Sequence, residues 1–145
     1  MACSNRYRKS TLNAYNSDNQ TITTNGLVSF PNFNKTGCSV EFTGGTAIAI
    51  DKPGLYQITF NGTVESSGTS GNVVVQLFKN GVLVPGAVSE AQLTSATDIE
   101  NVAFSTILEI HPSCNCINNN ATLTVVNTGV EAIFNNANVT VVKLC

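Results

Sequence analysis

The chain has 145 residues, which is the length of one domain with a hydrophobic core of its own. Apolar residues make up 42% of it and charged residues only 11%, which excludes the low-hydrophobicity, high-charge composition of intrinsic disorder. The net charge of −2 indicates neither nucleic acid nor an anionic membrane as a partner. No apolar run approaches the roughly 18 residues that a membrane helix needs. We therefore expect one globular domain with no nucleic-acid and no membrane partner.

The first 19 residues are polar, show no sustained period, and contain a cluster of basic residues around a tyrosine: Arg6, Tyr7, Arg8 and Lys9. Such a segment is either a solvated, flexible terminus or an arm that docks on an acidic partner surface, with Tyr7 and Tyr15 as apolar anchors. We predict the partner-docking residues within this cluster. The predicted organisation is a basic arm over residues 1–19 and a folded domain over residues 20–145.

Residues 20–50 contain short β-type runs that are separated by turn signals such as Asn25-Gly26 and Gly44-Gly45. The strongest pattern follows at residues 56–65, where apolar and polar residues alternate strictly over ten positions. This alternation is typical of a strand with one buried and one solvated face. An Asn80-Gly81 pair between two apolar runs then predicts a β-hairpin.

A second alternating run covers residues 102–110 and ends before Pro112, which cannot continue a strand ladder. Residues 122–126, 130–134 and 139–144 give the last β-type runs. No window has a convincing helical period. About eight strands at spacings of roughly 8–12 residues predict an all-β, antiparallel sandwich.

Catalytic chemistry is not predicted. His111 is the only histidine and stands alone at a strand end, and no partner residues for a nucleophile or base are evident. Asp98 and Glu100 are interpreted as a solvated acidic pair, with a calcium site as the alternative. Around His111, the single residue between Cys114 and Cys116 is the wrong spacing for a zinc site, so metal binding, a disulfide and plain thiols stay open. We predict no catalytic residue, no metal site and no cofactor.

The cysteines form an odd set: Cys3, Cys38, Cys114, Cys116 and Cys145. At least one of them is therefore free or bonded to another chain. The start of the chain lacks the apolar segment of a secretory signal, so we expect synthesis and folding in the cytoplasm. Reduced thiols are the expectation in that compartment, although the state of each cysteine is not fixed by the sequence.

Four segments carry a family resemblance, namely Asp51–Phe60 (DKPGLYQITF), residues 74–82 (VVQLFKNGV), residues 121–129 (ATLTVVNTG) and residues 139–144 (VTVVKL). They resemble the jelly roll of the tumour-necrosis-factor (TNF) and complement globular-head superfamily. The resemblance covers about residues 40–145 and is strongest to the C-terminal domain of the exosporium glycoprotein BclA and to small proteins of Firmicutes phages. Unlike BclA, the chain has no collagen-like Gly-x-y stalk.

The resemblance implies a ten-strand jelly roll that assembles as a homotrimer. It makes Tyr56, Phe60, Phe104 and Phe134 candidates for the core or for the trimer contact, and the sequence does not divide them between the two roles.

The expected function is that of a non-enzymatic, homotrimeric structural protein of a phage virion, assembled in the bacterial cytoplasm. A capsid decoration or head-fibre protein fits best, with the arm docking on the capsid. One alternative is a receptor- or glycan-binding module of a tail or surface fibre, although the absence of Trp argues against sugar stacking. The other is a spore or cell-surface layer protein.

Overall fold

The computed structural model describes residues 9–111 and 121–145, and within these ranges every regular element is a β-strand. The strands are β1 (Thr11–Asn16), β2 (Gln20–Ile22), β3 (Gly26–Leu27), β4 (Asn32–Thr36), β5 (Val40–Thr43), β6 (Ala47–Ile50), β7 (Gly54–Ser66), β8 (Gly71–Lys79), β9 (Val82–Leu93), β10 (Ile99–Ile110), β11 (Ala121–Asn127) and β12 (Ala132–Lys143).

The strands form two sheets in which every paired neighbour is antiparallel. The first sheet has the order β10-β7-β12-β1-β4, with β2 also paired to β12. The second has the order β5-β6-β11-β8-β9, with β3 paired to β11. The chain crosses between the sheets several times, for example from β6 to β7 and from β11 to β12. This is the predicted all-β, antiparallel jelly-roll sandwich, which the structure confirms.

The core lies between the sheets and consists of the inward members of the alternating runs. Phe60 lies near its centre: its ring stacks on Phe104 at 5.5 Å between centroids and meets Phe30 edge-on at 6.4 Å. Offset and edge-to-face ring pairs of this kind add to the free energy gained by burial alone.

The four aromatic residues that the resemblance singles out are all buried within the single chain: Tyr56, Phe60 and Phe134 are 0% exposed and Phe104 is 6% exposed. The hydroxyl of Tyr56 donates a hydrogen bond to the backbone carbonyl of Lys52 at 2.6 Å. The structure thus places these residues in the core of the domain.

The domain begins earlier in the chain than the sequence indicates. Residues 11–16, which lie in the predicted arm and include the predicted anchor Tyr15, form β1, and β1 is held in the first sheet between β12 and β4. Its inward residues are Leu12, Ala14 and Asn16, and this mixture of one large, one small and one polar side chain gives little apolar signal. Residues 1–8, which contain Arg6, Tyr7 and Arg8, lie outside the described residues.

The last strand also differs from expectation. The separate runs predicted at residues 130–134 and 139–144 belong to one continuous strand, β12, which has a bulge between them where the pairing with β7 shifts between Asn135 and Asn138. Asn136 takes a φ of 53°, a left-handed conformation that asparagine tolerates better than most residues. An Asn-Asn pair therefore marks a bulge here and not a turn.

Cys38 is disulfide-bonded, so the expectation of reduced thiols is wrong at this position. Cys145 is a free and exposed thiol. Cys3, Cys114 and Cys116 lie outside the described residues.

Candidate assembly surface

The most distinctive surface of the domain is the outer side of its first sheet. Its residues are the members of β4, β1, β12, β7 and β10 that point away from the core, and we refer to them as the uncharged face. Apart from the carboxylates Glu65 and Glu109 at its margins, these residues are Asn32, Asn34, Thr36, Thr11, Asn13, Tyr15, Ile133, Asn135, Asn138, Thr140, Val142, Leu55, Gln57, Thr59, Asn61, Thr63, Ile99, Asn101, Ala103, Ser105 and Ile107.

The uncharged face follows directly from the alternation in the sequence. In β7, for example, the inward residues Ile58, Phe60 and Val64 are buried, while Thr59 and Asn61 between them point outward. Most of the outward positions hold Asn, Thr, Ser or Gln, and carboxylates occur on this side only near its margins, at Glu65 and Glu109.

The polar groups of this face bond to one another across the strands. Hydroxyl–hydroxyl bonds join Thr11 to Thr36 at 2.7 Å and Thr59 to Ser105 at 3.3 Å. Thr63 donates to the amide oxygen of Asn101 at 3.3 Å, and the amide nitrogen of Asn138 donates to the side-chain oxygen of Asn13. Cross-strand pairs of this kind hold the side chains in fixed orientations.

A neutral, internally bonded face has a clear energetic consequence. Burying a charged group under another protein costs on the order of several kcal/mol unless an opposite charge pairs with it. Covering hydroxyl and amide groups that keep their hydrogen bonds costs far less. Another protein surface can therefore cover this face at a low cost.

Two apolar features stand at opposite sides of the face. β10, the outermost strand on one side, exposes Ile99 and Ile107, at 63% and 62% of their surface. On the other side, a hollow of about 350 Å³ lies between β1, β4 and β12, and we call it the β1 hollow. Its lining residues are Thr11, Leu12, Asn13, Asn34, Lys35, Thr36, Thr140 and Val142.

Two further depressions are present. A groove of about 410 Å³ lies beside the β8–β9 hairpin, lined by Lys79, Asn80, Val82, Leu83, Val84, Pro85 and Leu108. A polar hollow of about 400 Å³ lies where β7, β10 and the β12 bulge meet, lined by Asn61, Gly62, Thr63, Asn101, Val102, Ala103 and Asn136. Neither lining contains an aromatic ring on which a sugar could stack.

The structure does not show a metal site at the predicted acidic pair, Asp98 and Glu100. The carboxylate of Asp98 accepts four hydrogen bonds, from the hydroxyls and the backbone NH groups of Thr94 and Ser95. These bonds, led by the Thr94 hydroxyl, lower the pKa of Asp98 from 3.8 to about 2. Asp98 thus braces the β9–β10 loop, and no group of three or more His, Cys, Asp or Glu residues occurs in residues 9–111 and 121–145.

The remaining predicted residues lie at one end of the sandwich. Lys9 is exposed and directly precedes the buried Ser10, and His111 is exposed with its Nδ1 3.7 Å from a carboxylate oxygen of Glu109. Sequence reasoning missed the outward residues of β1, because β1 was assigned to the arm. For β10 the sequence does contain a signal. Ile107 occupies an outward position of an alternating run whose other outward positions are mostly polar, which indicates an exposed apolar side chain.

No protein-family model matches the chain, and no curated protein matches it. Solved structures do share its fold. The PRD1 vertex protein P5 is similar at a TM-score of 0.56 and 19% identity, covering 94% of this chain and 97% of that one. Eiger TNF from S. frugiperda is similar at a TM-score of 0.66 and 10% identity, covering 94% and 92%. The globular domain of zebrafish complement 1qA is similar at 0.56 and 12%, covering 88% and 94%.

These likenesses show the fold: the chain has the jelly roll found in TNF-like and complement globular domains and in the PRD1 vertex protein P5. The finer resemblance to BclA stays a prediction. In the described residues, no helix is long and apolar enough to span a bilayer.

Proposed function

We propose that this protein is a non-enzymatic, homotrimeric structural component of a phage virion, a capsid decoration or head-fibre protein. The observation that carries the proposal is the likeness to the PRD1 vertex protein P5, which extends over 94% of this chain. A vertex protein belongs to the particle itself, so the proposed location is the virion. In this proposal the jelly roll is the outward knob, and the segment before β1 is the attachment arm.

The uncharged face supports assembly of the domain with copies of itself. The outward positions of the first sheet are largely neutral and hydrogen-bonded to one another, with carboxylates only at Glu65 and Glu109 near its margins. Oligomer interfaces are depleted in charged residues in the same way. Three copies that cover these faces also remove the exposed isoleucines of β10 from water.

The geometry at the start of β1 supports the arm. The Ser10 hydroxyl oxygen accepts a hydrogen bond from the Ser39 NH, and the Ser10 carbonyl oxygen accepts one from the Lys143 NH. Ser10 is therefore held in place, with Lys9 exposed beside it. Arg6, Arg8 and Lys9 supply positive charge for an acidic capsid surface, and Tyr7 supplies an anchor.

The test is removal of residues 1–8, which stops short of β1 and so spares the sheet. Purified wild-type and truncated proteins are incubated with particles of the phage that lack the protein, and bound protein is measured by co-sedimentation. We expect the truncated protein to keep its β-type circular dichroism spectrum. The amount that co-sediments with the particles should fall at least tenfold. Lys52→Ser, which removes an exposed lysine of the domain, is the matched control and should bind as the wild type does.

Unchanged binding of the truncated protein would reject the arm. No binding of the wild type to any particle surface would reject the virion assignment itself. The two alternatives, a fibre module for receptors or glycans and a spore or cell-surface layer protein, then become the proposals to test, by glycan array and by cell fractionation.

A further inference from the structure

We propose that residues 1–8 dock on the β4–β5 edge of their own domain, with the Tyr7 ring on Phe33 and the Arg8 guanidinium beside Asp51. The β4–β5 edge is the side of the sandwich where the border strands of the two sheets, β4 and β5, contact each other. The inference concerns the free protein, so it goes beyond the virion function proposed above and does not depend on it.

The first argument is an aromatic ring without a cover. Phe33 pairs with the inward residue Ala14, yet 46% of its surface is exposed, because β4 is the border strand of the first sheet among the described residues. Its ring lies 5.3 Å from that of Phe42, which in turn meets Phe30 of the core at 6.5 Å. Phe33 is therefore a supported aromatic surface, on which another ring can pack with a gain beyond burial alone.

The second argument is a carboxylate beside this edge whose charge the domain balances only in part. Glu41 of β5 forms an ion pair with Lys35 of β4 at 2.6 Å. Burial and repulsion from Glu41 raise the pKa of the neighbouring Asp51 above 3.8, in spite of the opposing effects of Lys35 and Lys52. A further positive charge beside Asp51 would favour its ionised form.

The third argument is that the chain enters β1 beside this edge. The Ser10 hydroxyl oxygen accepts a hydrogen bond from the Ser39 NH at 2.8 Å, and the Ser39 carbonyl oxygen accepts one from the Asp51 NH at 2.8 Å. Gly37 lies so close to Ser10 that a Cβ at Gly37 would overlap the Ser10 hydroxyl. Gly37 and Ser39 belong to the connection from β4 to β5, so Ser10 stands at the end of the β4–β5 edge.

The fourth argument is that residues 1–8 have the reach and the side chains for this contact. Tyr7 precedes Ser10 by three residues, which can span about 10 Å. Phe33 precedes Gly37 by four residues, about 13 Å along a strand, and the length of the tyrosine side chain makes up the difference. Arg8 stands between Tyr7 and Ser10 and so supplies a positive charge at the same end of the edge.

The experiment measures how fast trypsin removes the first residues of the full-length protein, by mass spectrometry after reduction of disulfides. Cleavage after Arg8 requires the segment to leave the edge, so its rate follows the undocked fraction. We expect Tyr7→Ala and Phe33→Ser each to speed this cleavage roughly tenfold, because each removes one ring of the contact. Leu83→Ser is the matched control: Leu83 is exposed to a similar degree, 43%, but lies on β9, and its variant should be cleaved at the wild-type rate.

A charge variant tests the second half of the contact. Asp51→Asn keeps the size of the side chain and removes its charge, so we expect cleavage after Arg8 to become several-fold faster. Circular dichroism shows whether Phe33→Ser is folded. Tyr7→Ala alters no residue of the β-sandwich and keeps the test decisive if Phe33→Ser is not.

Three results would overturn the inference. The first is equal cleavage of the wild type, Tyr7→Ala and Phe33→Ser. The second is equal cleavage together with a loss of particle binding in Phe33→Ser, which would make the β4–β5 edge a contact for another virion protein. The third is protection of the wild type that disappears on dilution, which would place the segment on a neighbouring copy. None of them decides the virion assignment, which the co-sedimentation of the truncated protein tests separately.

Discussion

The hydroxyl oxygen of Ser10 accepts a hydrogen bond of 2.8 Å from the backbone NH of Ser39, and both residues are buried. This bond joins the residue before β1 to the residue before β5, so it connects the start of the first sheet to the second. With the bond from the Lys143 NH to the Ser10 carbonyl oxygen, it holds Ser10 in place beside the exposed Lys9.

We expect Ser10→Ala to lower the free energy of unfolding by about 1–3 kcal/mol, because the buried NH of Ser39 loses its acceptor. Urea unfolding at a fixed protein concentration measures this, since assembly makes stability depend on concentration. Thr43→Ala, at an exposed position of β5, is the control and should change stability by less than about 0.5 kcal/mol. Equal effects of the two substitutions would show that the Ser10–Ser39 bond contributes nothing specific.

The alternation in β7 is tested by placing a carboxylate on each of its faces. Phe60 is fully buried, so Phe60→Asp should prevent folding, because an unpaired buried charge costs several kcal/mol against a total stability of roughly 5–15 kcal/mol. Asn61→Asp puts the same charge on the uncharged face and should leave the β-type circular dichroism spectrum intact. A folded Phe60→Asp protein would mean that the faces of this strand are assigned the wrong way round.

Asn127 is the fully buried polar residue that ties the β11–β12 turn to β2. Its amide nitrogen donates to the carbonyl oxygens of Val130 at 2.8 Å and Ile22 at 3.2 Å, and its side-chain oxygen accepts from the NH of Gly129 at 3.1 Å. Asn127→Ala leaves these backbone groups without their side-chain partners. We therefore expect the free energy of unfolding, measured with urea, to fall by about 1–3 kcal/mol or more. Asn72→Ala, at an exposed site, should be close to neutral, and a neutral Asn127→Ala would contradict the bracing role.

The pH dependence of the β9–β10 loop follows from Asp98. Its folded-state pKa of about 2 lies below the ordinary value of 3.8, because Thr94 and Ser95 donate hydrogen bonds to the ionised carboxylate. The stabilisation of the loop is therefore fully present above pH 3.8 and is lost as the pH falls through about 2. In NMR titrations, the amide signals of Thr94 and Ser95 should move with a midpoint near 2, whereas a midpoint near 3.8 would show that these bonds do not persist in solution.

Much of the fold could be predicted from residues 56–65 and 102–110, because strict alternation fixes both the strand and its buried face. β1 could not be predicted, since its inward residues include the small Ala14 and the polar Asn16, which its neighbours in the sheet bury regardless of their low hydrophobicity. A local pattern carries no information on such long-range burial.

The candidate surface was harder to predict than the core. The uncharged face becomes visible only when the strand order places Asn13, Asn138 and Asn61 side by side, although they are far apart in the sequence. The sequence shows Ile107 as an apolar residue at an outward position. That Ile107 and Thr11 lie in one row across the first sheet follows only from the pairing of four strands. Pairing order, and not residue type, made the surface unpredictable.

We infer that other copies of this chain cover the uncharged face of the first sheet. The molar mass of the purified protein in solution, measured by multi-angle light scattering, tests it most directly. We expect a single species of about three times 15.3 kDa that persists on dilution. A monodisperse species of 15.3 kDa at every accessible concentration would contradict it.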